Sequence, residues 1–211
     1  MVNELLEALL ETLHMVFLST LFSVLFGFAL ALAMVLTGQE HFHPNKAIYR
    51  TLDLMVNLLR SFPFIILMIA IIPLTRMIAG TSIGSTAAIV PLTIAATPFV
   101  ARIMETSLLE VDKGVIEAAR AFGATNWQIL TRVMVREALP AIILNIAVIA
   151  INLLGYSAMA GVVGGGGLGD LAIKYGYNRF QTDVMIYSVA VLIVIVQIVQ
   201  SIGNMLYKKL R

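Results

Sequence analysis

Apolar residues in this chain fall into long runs, and polar residues collect between them. A helix rises about 1.5 Å per residue, so about 20 apolar residues cross a bilayer core of about 30 Å. Five runs satisfy this condition, at about 13–36, 52–74, 82–104, 138–163 and 184–206. The pattern predicts an all-α integral membrane protein with five transmembrane helices, organised as a single domain over residues 1–211.

Composition supports the membrane class. The chain is 60% hydrophobic and 12% charged, whereas soluble domains carry about 25% charged residues. It has no cysteine, which excludes disulfides and thiolate metal sites, and a net charge of +2 is too small to indicate nucleic-acid binding. The N-terminal segment carries acidic rather than basic residues before the first run, so we expect it not to be a cleavable signal peptide.

The distribution of lysine and arginine predicts the orientation. With the N-terminus outside, the segments 38–51, 102–137 and 207–211 lie in the cytoplasm and hold ten basic residues, against three on the outer side. Positively charged loops remain in the cytoplasm. The sequence therefore predicts an outer N-terminus and a cytoplasmic C-terminus. His41 and His43, in the first of these cytoplasmic segments, have no metal-ligand spacing and are expected to be solvated.

The longest polar interval, at about 105–137, is predicted to form a helix, a glycine turn and a second helix. Asp112 is placed to cap a helix that starts at Lys113, and Gly123 to end it in a left-handed conformation. Thr125 with Gln128 forms a capping-box pattern for the second helix. That helix is expected to carry Trp127 and Leu130 towards the membrane and to run to Pro140. The apolar face of the first helix is expected to comprise Val115, Ile116, Ala119 and Phe122.

Two functions suit the first of these helices. It could lie in the bilayer interface, or it could dock another protein in the cytoplasm. Interfacial helices usually present bulky apolar side chains and a basic face, but this one has Ala118, Ala119 and Ala121 beside Glu117. Small side chains allow another protein to approach closely, so protein docking is favoured.

The string from Glu117 to Gly123 resembles the EAA motif of bacterial ABC importer permeases. In that family the motif is a coupling helix that sits on the ATPase subunit. The resemblance implies docking by Glu117, Ala118, Ala119, Arg120, Phe122, Gly123 and Ala124. The motif normally ends in a Leu-Pro pair, but here Arg136 occupies the proline position and Leu139-Pro140 follows it.

Further strings resemble the permease of methionine ABC importers: residues 59–64, 80–84, 88–93, 155–159 and 165–169. The resemblance implies a type I importer permease fold in the bacterial inner membrane. It also implies a homodimer that forms the pathway for L-methionine. Whether the same pathway accepts D-methionine stays an open question. The implied partners are two cytoplasmic ATP-binding subunits and an extracytoplasmic methionine-binding lipoprotein.

The chain itself contains no G-x-x-x-x-G-K-[ST] phosphate loop, so we expect a non-catalytic subunit without cofactors, whose partners hydrolyse ATP. Gly164 to Gly169 matches G-x-G-x-x-G formally, but no strand precedes it, and a flexible connection is expected. The alternatives are a permease for another small amino acid or a glycine-betaine-like solute, an ion-coupled secondary transporter, and a scaffold without transport.

The fourth run contains the candidates for the translocation pathway. Asn145 and Asn152 are seven residues apart and share a helix face. Polar side chains in a membrane helix favour the bundle interior over lipid. The candidates for the pathway or its gate are Asn145, Asn152, Tyr156, Ser157 and Met159. Ordinary helix packing by the two asparagines stays an equal alternative.

One charge lies inside a predicted span. Arg60 could extend its guanidinium to the cytoplasmic boundary, or it could pair with Glu105 or Glu110. Both possibilities stay open. Prolines in the second and third runs, including Pro63, remove helix hydrogen bonds and allow bends.

Overall fold

The computed structural model describes residues 2–38 and 44–210, which are helices joined by short turns. The expectations for His41, His43 and Arg211 lie outside these ranges. The α-helices are α1 (Val2–Thr37), α2 (Lys46–Ser61), α3 (Phe64–Ala70), α4 (Ile72–Ala79), α5 (Ser85–Leu109), α6 (Lys113–Ala121), α7 (Asn126–Gln128), α8 (Val135–Glu137), α9 (Leu139–Val162), α10 (Gly167–Leu171) and α11 (Thr182–Leu210). Two π-helical stretches, Ile129–Met134 and Ala172–Tyr177, follow α7 and α10.

Within the described ranges, the helices α1, α5, α9 and α11 are each long and apolar enough to cross a membrane. A fifth crossing is possible only if the bent pair α2 and α3 counts as one span. The all-helical, multi-spanning class predicted from the sequence is confirmed. The long helices also extend beyond the apolar runs, since α1 begins at Val2 and α11 ends at Leu210.

The run predicted as one continuous second span is instead divided into α2, α3 and α4. The axes of α2 and α3 differ by 101° at the break. Pro63 lacks an amide hydrogen and disfavours a helical conformation at the residue before it. Phe62 accordingly has extended backbone angles, with φ −75° and ψ 128°. The helix axis therefore turns sharply at this proline.

The packing of α1 against α5 forms the centre of the fold. Along α1 the buried positions Ser19, Ser23, Gly27 and Ala31 recur every four residues. A Cβ atom added to Gly27 would lie 2.6 Å from the Cβ of Val100 on α5. Small residues at this spacing let two membrane helices approach closely. The four-residue repeat was visible in the sequence, although its partner helix was not.

A charged cluster attaches α2 to α5. The Arg102 guanidinium pairs with Asp53 on α2, and it donates to Glu105 on its own helix at 2.8 Å. Tyr49 of α2 donates its hydroxyl to Glu105 at 3.2 Å. Glu105 is only 2% exposed, and buried charges of this kind need partners. Sequence reasoning missed this cluster, because it considered Glu105 only as a candidate partner for Arg60.

The glycine-rich segment after α9 is held by polar contacts, contrary to the expected flexible connection. Glu11 accepts a hydrogen bond from the amide of Gly167 at 2.7 Å, and Thr12 accepts one from Leu168 at 2.8 Å. The Gly84 amide donates to the Gly164 carbonyl at 2.8 Å. The bonds from Gly167 and Leu168 satisfy the first amides of α10, which have no partner within their own helix.

We predict that Gly27→Leu disrupts the packing of α1 on α5. The new side chain would meet Val100 and the carbonyl oxygen of Thr97, which is 2.8 Å from the added Cβ. Overpacking of this kind costs about 1–3 kcal/mol or more. The measurement is thermal unfolding of the purified protein in detergent. Ala29→Leu is the matched control, because Ala29 is exposed on the same helix. Equal unfolding temperatures for the two variants would contradict the packing assignment.

Candidate functional site

The helix α6 has the boundaries that local sequence signals predicted. The Asp112 carboxylate accepts from the Gly114 amide at 2.7 Å at its start. At its end Gly123 has a φ of +80°, its amide donates to the Arg120 carbonyl at 3.0 Å, and the Ala124 amide donates to the Ala119 carbonyl at 3.1 Å. These two bonds form a Schellman motif, which satisfies the last carbonyls of the helix. The chain turns sharply there.

The next helix starts as predicted but continues differently. Thr125 and Gln128 form a reciprocal capping box, with bonds of 2.9 and 3.3 Å. After one turn the backbone becomes π-helical over Ile129–Met134. The periodicity of side chains changes in a π-helix. Leu130 is fully buried and Trp127 is 58% exposed, and the predicted orientation of both towards the membrane stays a prediction.

The unusual end of the motif falls just before α9. Arg136 is exposed on α8 and has the helical backbone expected of a residue within a helix. Pro140 lies in the first turn of α9, where the missing amide hydrogen removes no helix bond. The proline that the motif requires is thus displaced to the start of the next long helix.

The side chains of α6 divide into two faces. Ile116 and Ala119 are half-buried and pack against the main core, as does Ala124 after the turn. Two further residues of the predicted apolar face do not pack on this core: Phe122 is 93% exposed and Val115 is 38% exposed in the single subunit.

The outward face of α6 and its turn carries most of the predicted docking residues: Glu117, Ala118, Arg120, Phe122 and Gly123. An exposed aromatic ring beside small and charged side chains can serve as the anchor of a protein interface. Ala119 and Ala124 instead support the helix from beneath.

The polar residues of α9 have different environments. The Asn145 side chain donates to the Ser107 hydroxyl on α5 at 2.8 Å. Asn152 is exposed and bonds only to the Val148 carbonyl of its own helix, at 3.1 Å. Asn145 therefore joins two helices, as the packing alternative expected, whereas Asn152 faces outward from this subunit. The serine on α5 was missed, because its own run gave no sign of a partner 38 residues away.

The other three pathway candidates, Tyr156, Ser157 and Met159, also differ in their environments. The Tyr156 ring stacks on Phe64 of α3, with ring centroids 4.8 Å apart and an interplanar angle of 8°. Ser157 is buried and donates to the Leu154 carbonyl at 2.8 Å, so it is not accessible from the outward face. Met159 is 44% exposed. Asn152 and Met159, seven residues apart, mark the outward face of α9.

Arg60 does not form the ion pair considered from the sequence. Its guanidinium carbon lies 6.0 Å from the centroid of the Phe99 ring. Glu105 is bonded to Arg102 and Tyr49 instead. Within residues 2–38 and 44–210, neither Glu105 nor Glu110 pairs with Arg60. The same ranges contain no group of three or more His, Asp or Glu residues that could hold a metal ion.

Comparison with known proteins gives consistent matches. The sequence model of the family described as "Binding-protein-dependent transport system inner membrane component" matches residues 23–211. The probable D-methionine transport system permease protein MetI of Vibrio cholerae is 49% identical over 205 residues, which is 97% of this chain and 91% of that protein. The corresponding protein of Escherichia coli K12 is 48% identical over 151 residues, 72% of this chain and 70% of its own length.

Solved structures agree. A crystal form of the MetNI methionine ABC transporter in an inward-facing conformation superposes with a TM-score of 0.97 at 42% identity, over all of this chain and 98% of the matched chain. An amino acid ABC transporter solved with histidines superposes with a TM-score of 0.81 at 23% identity. At that identity the likeness concerns the fold alone.

We predict that Asn145 and Asn152 differ in their effect on stability. Asn145→Leu removes the bond to Ser107, and such bonds between membrane helices contribute about 0.6 kcal/mol on average and up to about 1.7. Asn152→Leu removes only a bond within one helix and should leave stability nearly unchanged. Thermal unfolding in detergent measures both. A larger loss for Asn152→Leu would contradict this assignment.

Proposed function

The chain belongs to the family of binding-protein-dependent transport system inner membrane components, and from that premise we propose that it forms, as a homodimer, the methionine pathway of an ATP-driven importer. It is a multi-pass inner-membrane permease subunit without ATPase activity of its own. Two cytoplasmic ATP-binding subunits supply hydrolysis, and an extracytoplasmic methionine-binding lipoprotein delivers the substrate. The observation that carries the proposal is the match along the full chain to the methionine transporter structure.

The outward face of α6 suits the proposed contact with the ATPase. Glu117, Arg120 and Phe122 are exposed, and the opposite face packs on the subunit's own core through Ile116 and Ala119. The segment also lies between α5 and α9 in the chain. A displacement of α6 by a closing ATPase dimer would thus act on both long helices, and the two α6 helices of the dimer would approach each other.

We propose that the N-terminus lies outside and the C-terminus in the cytoplasm. The support is the excess of basic residues, ten against three, on the side that carries α6. Residues 1–211 then form one permease domain, in which the bent unit of α2, α3 and α4 replaces the second simple span. On this topology the glycine-rich segment and α10 lie on the outer side, where the binding protein docks.

The outward face of α9 is the proposed wall of the pathway. Asn152 and Met159 are exposed in the single subunit, and a second copy of the chain would enclose this face at a two-fold axis. An unbranched methionine side chain adapts its shape readily, so Met159 and its copy can close an apolar gate. Tyr156, between them, borders the same face through its contact with α3.

Uptake into proteoliposomes tests the proposed function. Vesicles that contain the permease, the partner ATPase and trapped ATP, with binding protein on the opposite side, should accumulate labelled methionine. Accumulation without ATP, or of glycine betaine in place of methionine, would contradict the proposal. D-methionine is measured alongside the L form.

Phe122→Asp in the same vesicles tests the contact. A carboxylate in place of the exposed ring should abolish association with the ATPase and reduce uptake to background, since aromatic anchors contribute about 2 kcal/mol or more to interfaces. Phe180→Asp is the matched control for association, because Phe180 is an equally exposed ring at 88% and lies near the start of α11. Normal association of Phe122→Asp would exclude this docking face.

Labelling of single cysteines tests the orientation, because the chain has no cysteine of its own. In intact spheroplasts that express the permease without its ATPase partner, Asn3→Cys should react with a membrane-impermeant maleimide, and Phe122→Cys should react only after the membrane is opened. Both positions are exposed, so the reagent can reach each of them once it is on the correct side. The reverse pattern would place α6 outside and contradict the topology.

A further inference from the structure

Arg60 is a cation without a carboxylate partner among the described residues. The contrast with Arg102 is direct, since Arg102 pairs with both Asp53 and Glu105. Arg60 lies in the last turn of α2, next to the bend, and its described contact is the face of Phe99. A guanidinium that is not paired with a carboxylate of the protein can bind an oxyanion of another molecule.

A small cavity of about 160 Å³ adjoins this guanidinium. Its walls come from α2, α3, α5 and α9, and they include Arg60, Phe62, Phe64, Phe99 and Tyr156. Pockets for drug-sized ligands measure about 300–1,000 Å³, so this cavity suits a smaller solute. The walls combine one positive charge with several aromatic rings.

The cavity borders the proposed pathway. Tyr156 follows Asn152 by four residues and precedes Met159 by three, and residues at these spacings are neighbours on one side of a helix. Its ring forms part of the cavity wall through the stack on Phe64. A solute that moves along the outward face of α9 would therefore pass the opening of this cavity.

We propose that Arg60 and the surrounding rings form a binding site for the translocated amino acid within the permease, an inference that rests on the proposed function. The guanidinium binds the α-carboxylate in a bidentate geometry. The rings of Phe99 and the Phe64–Tyr156 stack contact an apolar side chain, and a thioether sulfur contacts aromatic edges favourably. The substrate class is thus a small amino acid with an uncharged, apolar side chain.

The phosphate of a lipid headgroup shares the oxyanion chemistry of a carboxylate. An arginine that only reaches for headgroups needs no cavity, because its own flexible chain extends to the interface. Here the exposed side chain of Arg60 lines a cavity to which α3, α5 and α9 also contribute walls. We therefore assign the site to the solute, and the experiment below separates the two sources.

The test is photolabelling of the assembled permease–ATPase complex in nanodiscs of phosphatidylethanolamine and phosphatidylglycerol. The probe is a diazirine analogue of methionine that retains its amine and carboxylate, and mass spectrometry locates the label. The binding protein is omitted, so that its own selectivity does not enter. Arg60→Gln is compared with Arg50→Gln, an exposed arginine on the same helix that does not line the cavity.

We expect label on the peptides that contain Phe99 or Tyr156 in the wild type and in Arg50→Gln. Arg60→Gln should reduce it about tenfold or more, which corresponds to about 1.4 kcal/mol. Arg60→Lys, which keeps the charge but loses the planar fork, should give an intermediate value. Methioninamide, which lacks the carboxylate, should compete at least tenfold more weakly than methionine in the wild type, a result that requires no variant to fold.

Equal labelling of Arg60→Gln and the wild type, or equal competition by methioninamide, would overturn the site. Loss of a retained phospholipid from Arg60→Gln in native mass spectrometry, with labelling unchanged, would assign Arg60 to a lipid phosphate instead. In both cases wild-type vesicles would still accumulate methionine, and the proposed function would stand. Failure of the wild type itself to accumulate methionine would reject the proposed function and this site together.

Discussion

The close approach of α1 and α5 at Gly27 is the contact on which the other helices depend. Inside a bilayer the hydrophobic effect does not drive helices together, so association relies on packing and on polar contacts. Small residues on α1 provide the packing. Polar contacts then attach three further helices to this pair: Arg102 of α5 binds α2, Ser107 of α5 binds α9, and Glu11 of α1 binds the start of α10. A displaced α5 would therefore affect the attachments of α2 and α9 directly.

This arrangement fixes the position of α6 relative to the long helices. It follows α5 in the chain, and the π-helical stretch after its glycine turn is buried through Ile129, Leu130 and Met134. A force on the exposed Phe122 ring would thus be carried into the core and not absorbed by a loose loop. The bend at Pro63 joins α2 to α3. On either side of it, Arg60 lies beside Phe99 of α5 and Phe64 stacks on Tyr156 of α9. The proposed docking face on α6, the proposed pathway face on α9 and the proposed solute site consequently share one scaffold of packed helices.

Sequence reasoning was accurate where local chemistry determines structure. Asp112, Gly123 and the Thr125–Gln128 pair define helix ends through bonds within a few residues, and the structure contains each of those bonds. It failed where partners are distant in the chain, as for Arg102 and Asp53, 49 residues apart, since hydropathy carries no information on such pairing. The π-helical stretch Ile129–Met134 was missed for another reason, because the local capping signals at Thr125 and Gln128 define only where the helix begins.

The central claim is that closure of the ATPases moves the two α6 helices together. Because the chain has no cysteine, a spin label can be attached at a single introduced thiol, and Ala121→Cys provides one at an exposed position beside Phe122, which is left unchanged. Electron–electron double resonance on the complete transporter measures the distance between the two labels. The account predicts that this distance shortens when ATP is bound and hydrolysis is blocked, and lengthens again with ADP. A distance that stays the same in both nucleotide states would contradict it.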